Sequence, residues 1–260
     1  MSNPWLQRFA NRPLAATRLF CFTPAGAGAT AYRAWGSAAP QHVEVCAVQL
    51  PGRESRLRET AFTSIARLVD ALVHALAPHF DRPFAFFGHS MGALVAFELA
   101  RALHAQGGPR PAHLMVSGRR PPHLAESDPL LHHQPDDEFI EQISRRYGGI
   151  PEEILREREV LEVFLPALRA DITAIETHRF TPGVRLDCPI AAFGGEADAR
   201  VWPHQLGEWQ AHTSGPVQVR TYQGGHFFLS HAQVREDLVR EAADRLWGAL
   251  ELRPEEARPA

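Results

Sequence analysis

Six short apolar runs restrict what this chain can fold into. Arg18–Phe22, Val43–Leu50, Phe84–Gly88, His113–Ser117, Ile190–Gly194 and Val217–Tyr222 are rich in aliphatic, β-branched or aromatic residues, and each is nearly continuous rather than alternating. A strand with one wet face alternates. A continuous run suits a strand buried on both faces, as in a parallel sheet covered by helices. Helical patterns separate several of the runs. Ser64 stands where an N-cap would, ahead of Ile65, Leu68, Val69, Leu72, Val73 and Leu76 at 3.6-residue spacing, with Pro78 to end the helix. Ala93–His104 reads as a second helix, stopped by Gly107-Gly108-Pro109, and Glu236–Leu252 as a third. This alternation predicts an α/β fold with a mostly parallel central sheet flanked by helices. With 260 residues, 45% of them hydrophobic, the chain can build one large domain with a sizeable core, or at most two small ones.

The rhythm breaks from about Arg119 to Arg179, where no strand pattern occurs. Asp136–Tyr147 reads as a helix closed by Gly148-Gly149, and Leu161, Phe164, Leu165, Leu168, Ile172 and Ile175 form another helical stripe. Pro166 inside that stripe should start a helix or kink one. A helical block between two strands is either a lid over a site or an ordinary excursion packed on the core. The tail RPEEARPA reads as frayed.

Charge and cysteine usage exclude several function classes. The formal net charge is −3, from 27 basic and 30 acidic residues, with no basic stripe to suit nucleic acid. No apolar run approaches the roughly 20 residues that span a bilayer, and the N-terminus lacks a signal-peptide pattern. We expect a cytoplasmic protein. Cys21, Cys46 and Cys188 are odd in number and far apart, and read as reduced, buried small hydrophobes.

Gly88-His89-Ser90-Met91-Gly92 carries the chemistry. An apolar strand before it and an apolar helix after it are the context in which Gly-x-Ser-x-Gly makes a sharp strand-to-helix turn. That turn strains the serine and lifts its hydroxyl above the sheet, and side chains at the glycine positions would collide in it. A serine hydroxyl needs a base, and the base needs an orienting carboxylate, in the chain order Ser, Asp or Glu, His. Among 14 histidines, His226 in TYQGGHFFLS stands in a loop just past a strand end. His231 reads as surface or structural. His132 and His133 have no accompanying ligand cluster, so we expect no metal. For the carboxylate, Asp198 in FGGEAD follows a buried strand and two glycines, and 28 residues to His226 leave room for one helix and one strand. Glu196 is the runner-up, Asp187 a distant third, and helix capping is the bland role for Asp198. The oxyanion of the reaction needs backbone N–H donors. Met91, after the nucleophile, is one. The small-residue loop after the first strand supplies the other, at Ala25 or a neighbour, because Pro24 has no N–H. The loop lacks the Lys-Ser/Thr ending of a nucleotide-binding loop.

These residues, with QLPGRESR at Gln49–Arg56, SGRRPP at Ser117–Pro122, RYGGIPEEIL at Arg146–Leu155 and FLPALRAD at Phe164–Asp171, resemble the type II thioesterases that accompany polyketide synthases and nonribosomal peptide synthetases, within the α/β-hydrolase superfamily. The resemblance covers roughly Leu19 to Leu246. It implies an α/β-hydrolase fold with a helical lid at about 119–179 and a triad of Ser90, Asp198 and His226. It also implies hydrolysis of acyl groups from the phosphopantetheine arm of acyl or peptidyl carrier proteins, the usual role being removal of stalled or wrongly primed groups. The enzyme itself then needs no cofactor, since phosphopantetheine belongs to the substrate. One departure is plain: the family commonly reads Pro-His-Ala-Gly-Gly, or Tyr for His, where this chain has Thr23-Pro24-Ala25-Gly26-Ala27. Rival readings are a product-releasing thioesterase, a small-molecule esterase or lipase, and a non-catalytic carrier-binding module. An early first strand after Met1 favours a stand-alone enzyme. The basic residues are all arginine, and those of LMVSGRR at Leu114–Arg120 either dock an acidic carrier or are simply solvated. No heptad or other dimer seam is visible, so we expect a monomer.

Overall fold

A computed structural model describes residues 3–124, 128–148 and 157–251. Seven strands form one sheet in the order β1-β3-β2-β4-β5-β6-β7. They are β1 Leu6–Gln7, β2 Thr17–Phe22, β3 Val43–Val48, β4 Phe84–His89, β5 His113–Ser117, β6 Ile190–Gly195 and β7 Val217–Tyr222. All neighbours pair in parallel except β1, which runs antiparallel to β3. The helices are α1 Arg33–Ala38, α2 Ile65–Leu76, α3 Met91–Ala105, α4 Asp136–Tyr147, α5 Arg158–Thr177, the short α6 Pro203–Leu206 and α7 Ala232–Glu251.

Successive side chains of a strand leave opposite faces of a sheet, so a fully apolar strand feeds two cores. Phe20, Phe22, Phe84 and Phe86 point to one face and pack with α2 and α3. Leu19, Cys21, Ala85 and Phe87 point to the other, against Trp35 of α1 and Leu238, Val239, Ala242 and Leu246 of α7. The three cysteines are buried and free. Ser64 caps α2 by accepting from the Arg67 N–H at 3.5 Å, and Pro78 lies in the 3-10 turn that follows the helix.

Two expectations are corrected. The β7 run is not buried on both faces: Gln218, Val219 and Arg220 are exposed because β7 is the sheet edge, and Arg220 reaches Glu241 of α7. The C-terminal helix begins at Ala232, one turn before Glu236. The two-residue β1 and the six-residue α1 carried no periodicity to read. Helix α5 runs through Pro166, which sits on its exposed side. Gly149, most of RYGGIPEEIL, Leu252 and the RPEEARPA tail lie outside the described residues.

The chain goes from β2 outward to β3, then returns past β2 to β4. Loops leaving the carboxyl ends of β2 and β4 therefore diverge, and the crevice between them is where an open α/β sheet binds its ligand. The residues after β2 are Thr23–Gly28, and the residue after β4 is Ser90.

Candidate active site

Ser90 has φ +54° and ψ −113°, one of two non-glycine residues with positive φ among those described. The turn is forced by close backbone approach. A Cβ on Gly88 would lie 2.2 Å from the Gly92 carbonyl oxygen, and one on Gly92 would lie 2.1 Å from that of Phe22. The turn is also held by the Ser90 N–H, which donates to the Ser117 carbonyl at the end of β5 at 2.8 Å.

The structure brings Ser90, His226 and Asp198 into one hydrogen-bonded line. Ser90 Oγ lies 2.9 Å from His226 Nε2, and His226 Nδ1 lies 2.8 Å from Asp198 Oδ2. A carboxylate only accepts, so Nδ1 carries the proton and Nε2 presents its lone pair to the serine hydroxyl. Asp198 sits past the end of β6 and His226 past the end of β7, so the two carboxyl-end loops converge on the turn after β4. The Asp198 side chain is fully buried, and that of His226 is 4% exposed. Asp198 Oδ1 accepts the Arg200 N–H at 2.8 Å, so its loop-closing role coexists with its contact to the imidazole. The alternatives lie elsewhere. Glu196 is exposed, with Thr221 Oγ1 at 3.5 Å, and Asp187 pairs with Arg110 on the surface.

His89 is wholly buried beneath the turn. Its ring centroid is 5.1 Å from that of His226, and its Nδ1 is 3.0 Å from Ser117 Oγ. Burial, and secondarily the nearby His226, hold its pKa well below the ordinary histidine range. A neutral His89 leaves the developing charge on His226 unopposed by a neighbouring cation. No sequence signal marks this role, since any residue fits that position of the pentapeptide. His132 Nδ1 meets Glu176 at 2.6 Å, and the same carboxylate accepts the N–H groups of Leu131 and His132. His231 is exposed. Among the described residues no group of three or more His, Cys, Asp or Glu side chains is placed to hold a metal ion.

Above Ser90 lies a cavity of about 40 Å³. Ile143 and Tyr147 of α4 and Phe164, Leu168, Ile172 and Ile175 of α5 form its apolar walls, and Ala25, half-buried on the loop after β2, shares it with Ser90. Met91 opens α3, whose first-turn N–H groups lack acceptors within the helix and sit at the positive end of its dipole. Tyr147 lies over His226 with ring centroids 5.2 Å apart. A larger cavity of about 540 Å³ adjoins through Arg119, Ile143, Tyr147, Ile172 and Ile175. Arg119 thus faces the site rather than standing on an outer surface. A nucleophile, a base with its orienting carboxylate, helix-end donors and a mostly apolar pocket together suit acyl transfer through a covalent intermediate.

A thioesterase-domain family profile matches residues 17–246. Linear gramicidin dehydrogenase LgrE of Brevibacillus parabrevis is 43% identical over 222 residues, covering 84% of each chain. Thioesterase PikA5 of Streptomyces venezuelae is 42% identical over 230 residues, covering 88% of this chain and 81% of that one. The solved structure of the type II thioesterase BorB from the borrelidin biosynthetic cluster superposes with a TM-score of 0.85 at 35% identity, covering 95% of this chain and 99% of that one. The dehydrogenase in the first name stands apart from the family match and from the second relative, and the line from Ser90 to Asp198 is acyl-transfer geometry, not hydride-transfer geometry. No helix among the described residues is long and apolar enough to cross a membrane. The chain belongs to the thioesterase family, as a type II thioesterase of the α/β-hydrolase fold.

Proposed function

We propose that this enzyme removes stalled or aberrant acyl groups from the phosphopantetheine arms of acyl or peptidyl carrier proteins in a polyketide or nonribosomal peptide assembly line, acting as a monomer in the cytoplasm. The observation that carries the reading is the buried line Ser90–His226–Asp198 opening into a small apolar cavity beneath two helices. Relatives from biosynthetic clusters, matched over most of their own length, support the assembly-line setting.

In this reading His226 Nε2 takes the Ser90 proton as Oγ attacks the thioester carbonyl. The Met91 and Ala25 N–H groups hold the oxyanion, each contributing roughly 3–4 kcal/mol of transition-state stabilisation. Asp198 stabilises the imidazolium through Nδ1. The C–S bond breaks, and the thiolate leaves with the proton from His226. Water then gives a proton to His226 and attacks the acyl-serine, and Ser90 departs reprotonated with the free acid released. Helices α4 and α5 act as the lid that keeps bulk water from the ester, and no metal or cofactor takes part. The apolar walls receive the acyl chain, and an arginine-bordered vestibule lies outside them.

The test is release of acetyl, propionyl, malonyl and longer acyl groups from a loaded carrier protein, followed by mass spectrometry, with wild-type protein and Ser90→Ala. Release by the wild type alone is expected. Intact thioesters with both proteins would remove the catalytic reading in favour of a carrier-binding module.

A further inference from the structure

The QLPGRESR and FLPALRAD segments have no part in the line from Ser90 to Asp198, yet the structure joins them at the oxyanion loop. Arg53 and Asp171 form a two-pronged ion pair, with Nη1 to Oδ2 at 2.5 Å and Nη2 to Oδ1 at 2.9 Å. They are 5% and 3% exposed. Two charges removed this far from water add little to stability compared with apolar residues of the same shape, so stability alone is a weak reason for their presence.

The third partner gives a better reason. Asp171 Oδ2 also accepts the Gly26 N–H at 2.8 Å. Gly26 lies in a four-residue turn, Pro24–Ala27, closed by the Ala27 N–H on the Pro24 carbonyl at 3.2 Å. Its φ of +76° is that of the third position of a type II turn. Turns of type I and type II differ by a flip of the middle peptide, here the one joining Ala25 to Gly26. Glycine takes either sign of φ, so sterics at Gly26 do not choose between them. The Asp171 carboxylate does choose. It binds the N–H of the middle peptide, and it repels the Ala25 carbonyl that a flip would turn toward it. Arg53 neutralises that carboxylate, which would otherwise set a bare negative charge beside the place where the oxyanion forms. It also reaches the Ala27 carbonyl at 3.4 Å, at the far end of the same turn. Phe164 and Leu168, two turns and one turn before Asp171 on α5, back the turn directly, since a Cβ on Gly26 would meet them at 2.7 and 3.1 Å.

We propose that Asp171, held by Arg53, is a positioning residue for catalysis: it anchors the Ala25–Gly26 peptide of the Pro24–Ala27 turn and so holds in place the adjoining Pro24–Ala25 peptide, whose Ala25 N–H meets the oxyanion. The inference rests on the thioesterase reading above. It makes Asp171 matter where negative charge develops on the carbonyl oxygen, and not where the ground-state substrate binds.

The experiment compares wild type, Asp171→Asn, Arg53→Lys and the double variant Asp171→Leu/Arg53→Met on an acyl-N-acetylcysteamine thioester. The double variant removes both charges with side chains of similar size, so it keeps a folded protein if a single change leaves an unpaired charge. Active sites are counted by complete labelling with a fluorophosphonate. The expected result is a kcat per labelled site lowered about 10²–10³-fold, the usual cost of one oxyanion donor, with KM within about threefold. Affinity for an alkyl boronic acid, a mimic of the tetrahedral state, should fall in step with kcat, and affinity for a thioether analogue of the substrate should not. A merely structural role would lower the number of labelled sites and leave the rate per site and the boronate affinity unchanged, which overturns the proposal. Wild-type protein that neither labels nor hydrolyses would instead bring down the thioesterase reading, and this inference with it.

Discussion

Gly92→Ala puts a methyl group against the backbone rather than against a side chain, and its cost follows from the distances. The new Cβ would lie 2.1 Å from the Phe22 carbonyl oxygen and 2.8 Å from that of Thr23. Ordinary contact begins at 3.4 Å, so the tighter contact is short by about 1.3 Å. No rotamer relieves it. Phe22 ends a strand paired on both sides, and its carbonyl also accepts the Tyr32 hydroxyl at 2.8 Å. Either α3 lifts or the end of β2 moves. Both motions separate Ser90 from Ala25 by something on the order of 1 Å, a displacement that costs about 10²-fold in rate. Overpacking of this kind costs about 3 kcal/mol, which at 2–4 °C per kcal/mol lowers Tm by roughly 6–12 °C in a chain of this size. Helix propensity works the other way, by at most about 1 kcal/mol, and loses. Gly248→Ala is the control: it lies in α7 with nothing within 4 Å of its Cβ, so propensity acts alone and Tm should rise slightly. Thermal melts and single-turnover hydrolysis of both variants read the two effects. A Gly92→Ala protein with wild-type turnover and an unchanged or higher Tm would refute the crowding argument.

Asp198→Asn should lower kcat by about 10⁴-fold while Glu196→Gln stays within twofold, because only Asp198 is buried against His226 Nδ1; steady-state rates for the pair decide between the two carboxylates. Stability should fall as pH drops from about 6.5 to 4. Burial, with Arg245 secondarily for His113 and His123 for His212, pushes both groups down to about 4, and burial also holds His89 well below the ordinary histidine range. A histidine with its folded pKa depressed binds a proton on unfolding within that window, so unfolding becomes easier as pH falls. Denaturant melts at pH 7, 5.5 and 4.5 measure it, and a midpoint that rises on acidification contradicts it.

The parts of this molecule legible in its sequence are those whose cause is local. Phe84–His89 reads as a strand because every residue of it is buried, and α2 because its apolar stripe and Ser64 cap agree. His226 and Asp198 were accessible because each follows an apolar run and two glycines, which marks a carboxyl-end loop. Edge position was not legible: nothing in VQVRTY says whether a further strand will pair with it. The neutrality of His89 depends on what surrounds it, and the clamp on Gly26 joins positions 145 residues apart in the chain. The arginine of QLPGRESR and the aspartate of FLPALRAD were visible as letters of a familiar pattern, but which atoms they hold is a property of the folded molecule alone.

The clamp also ties acyl-chain selectivity to turnover. Phe164, Leu168 and Ile172 line the cavity above Ser90 from the same helix that carries Asp171, so under the proposed function α5 is at once a ruler for acyl-chain length and a strut for the reacting carbonyl. A substitution that resizes the cavity from α5 pulls on the strut. Ile143 and Tyr147 border the cavity from α4, which has no such bond to the oxyanion loop among those described. Chain-length preference should therefore diversify more freely across α4 than along α5, and a library aimed at new acyl groups has its least encumbered positions there.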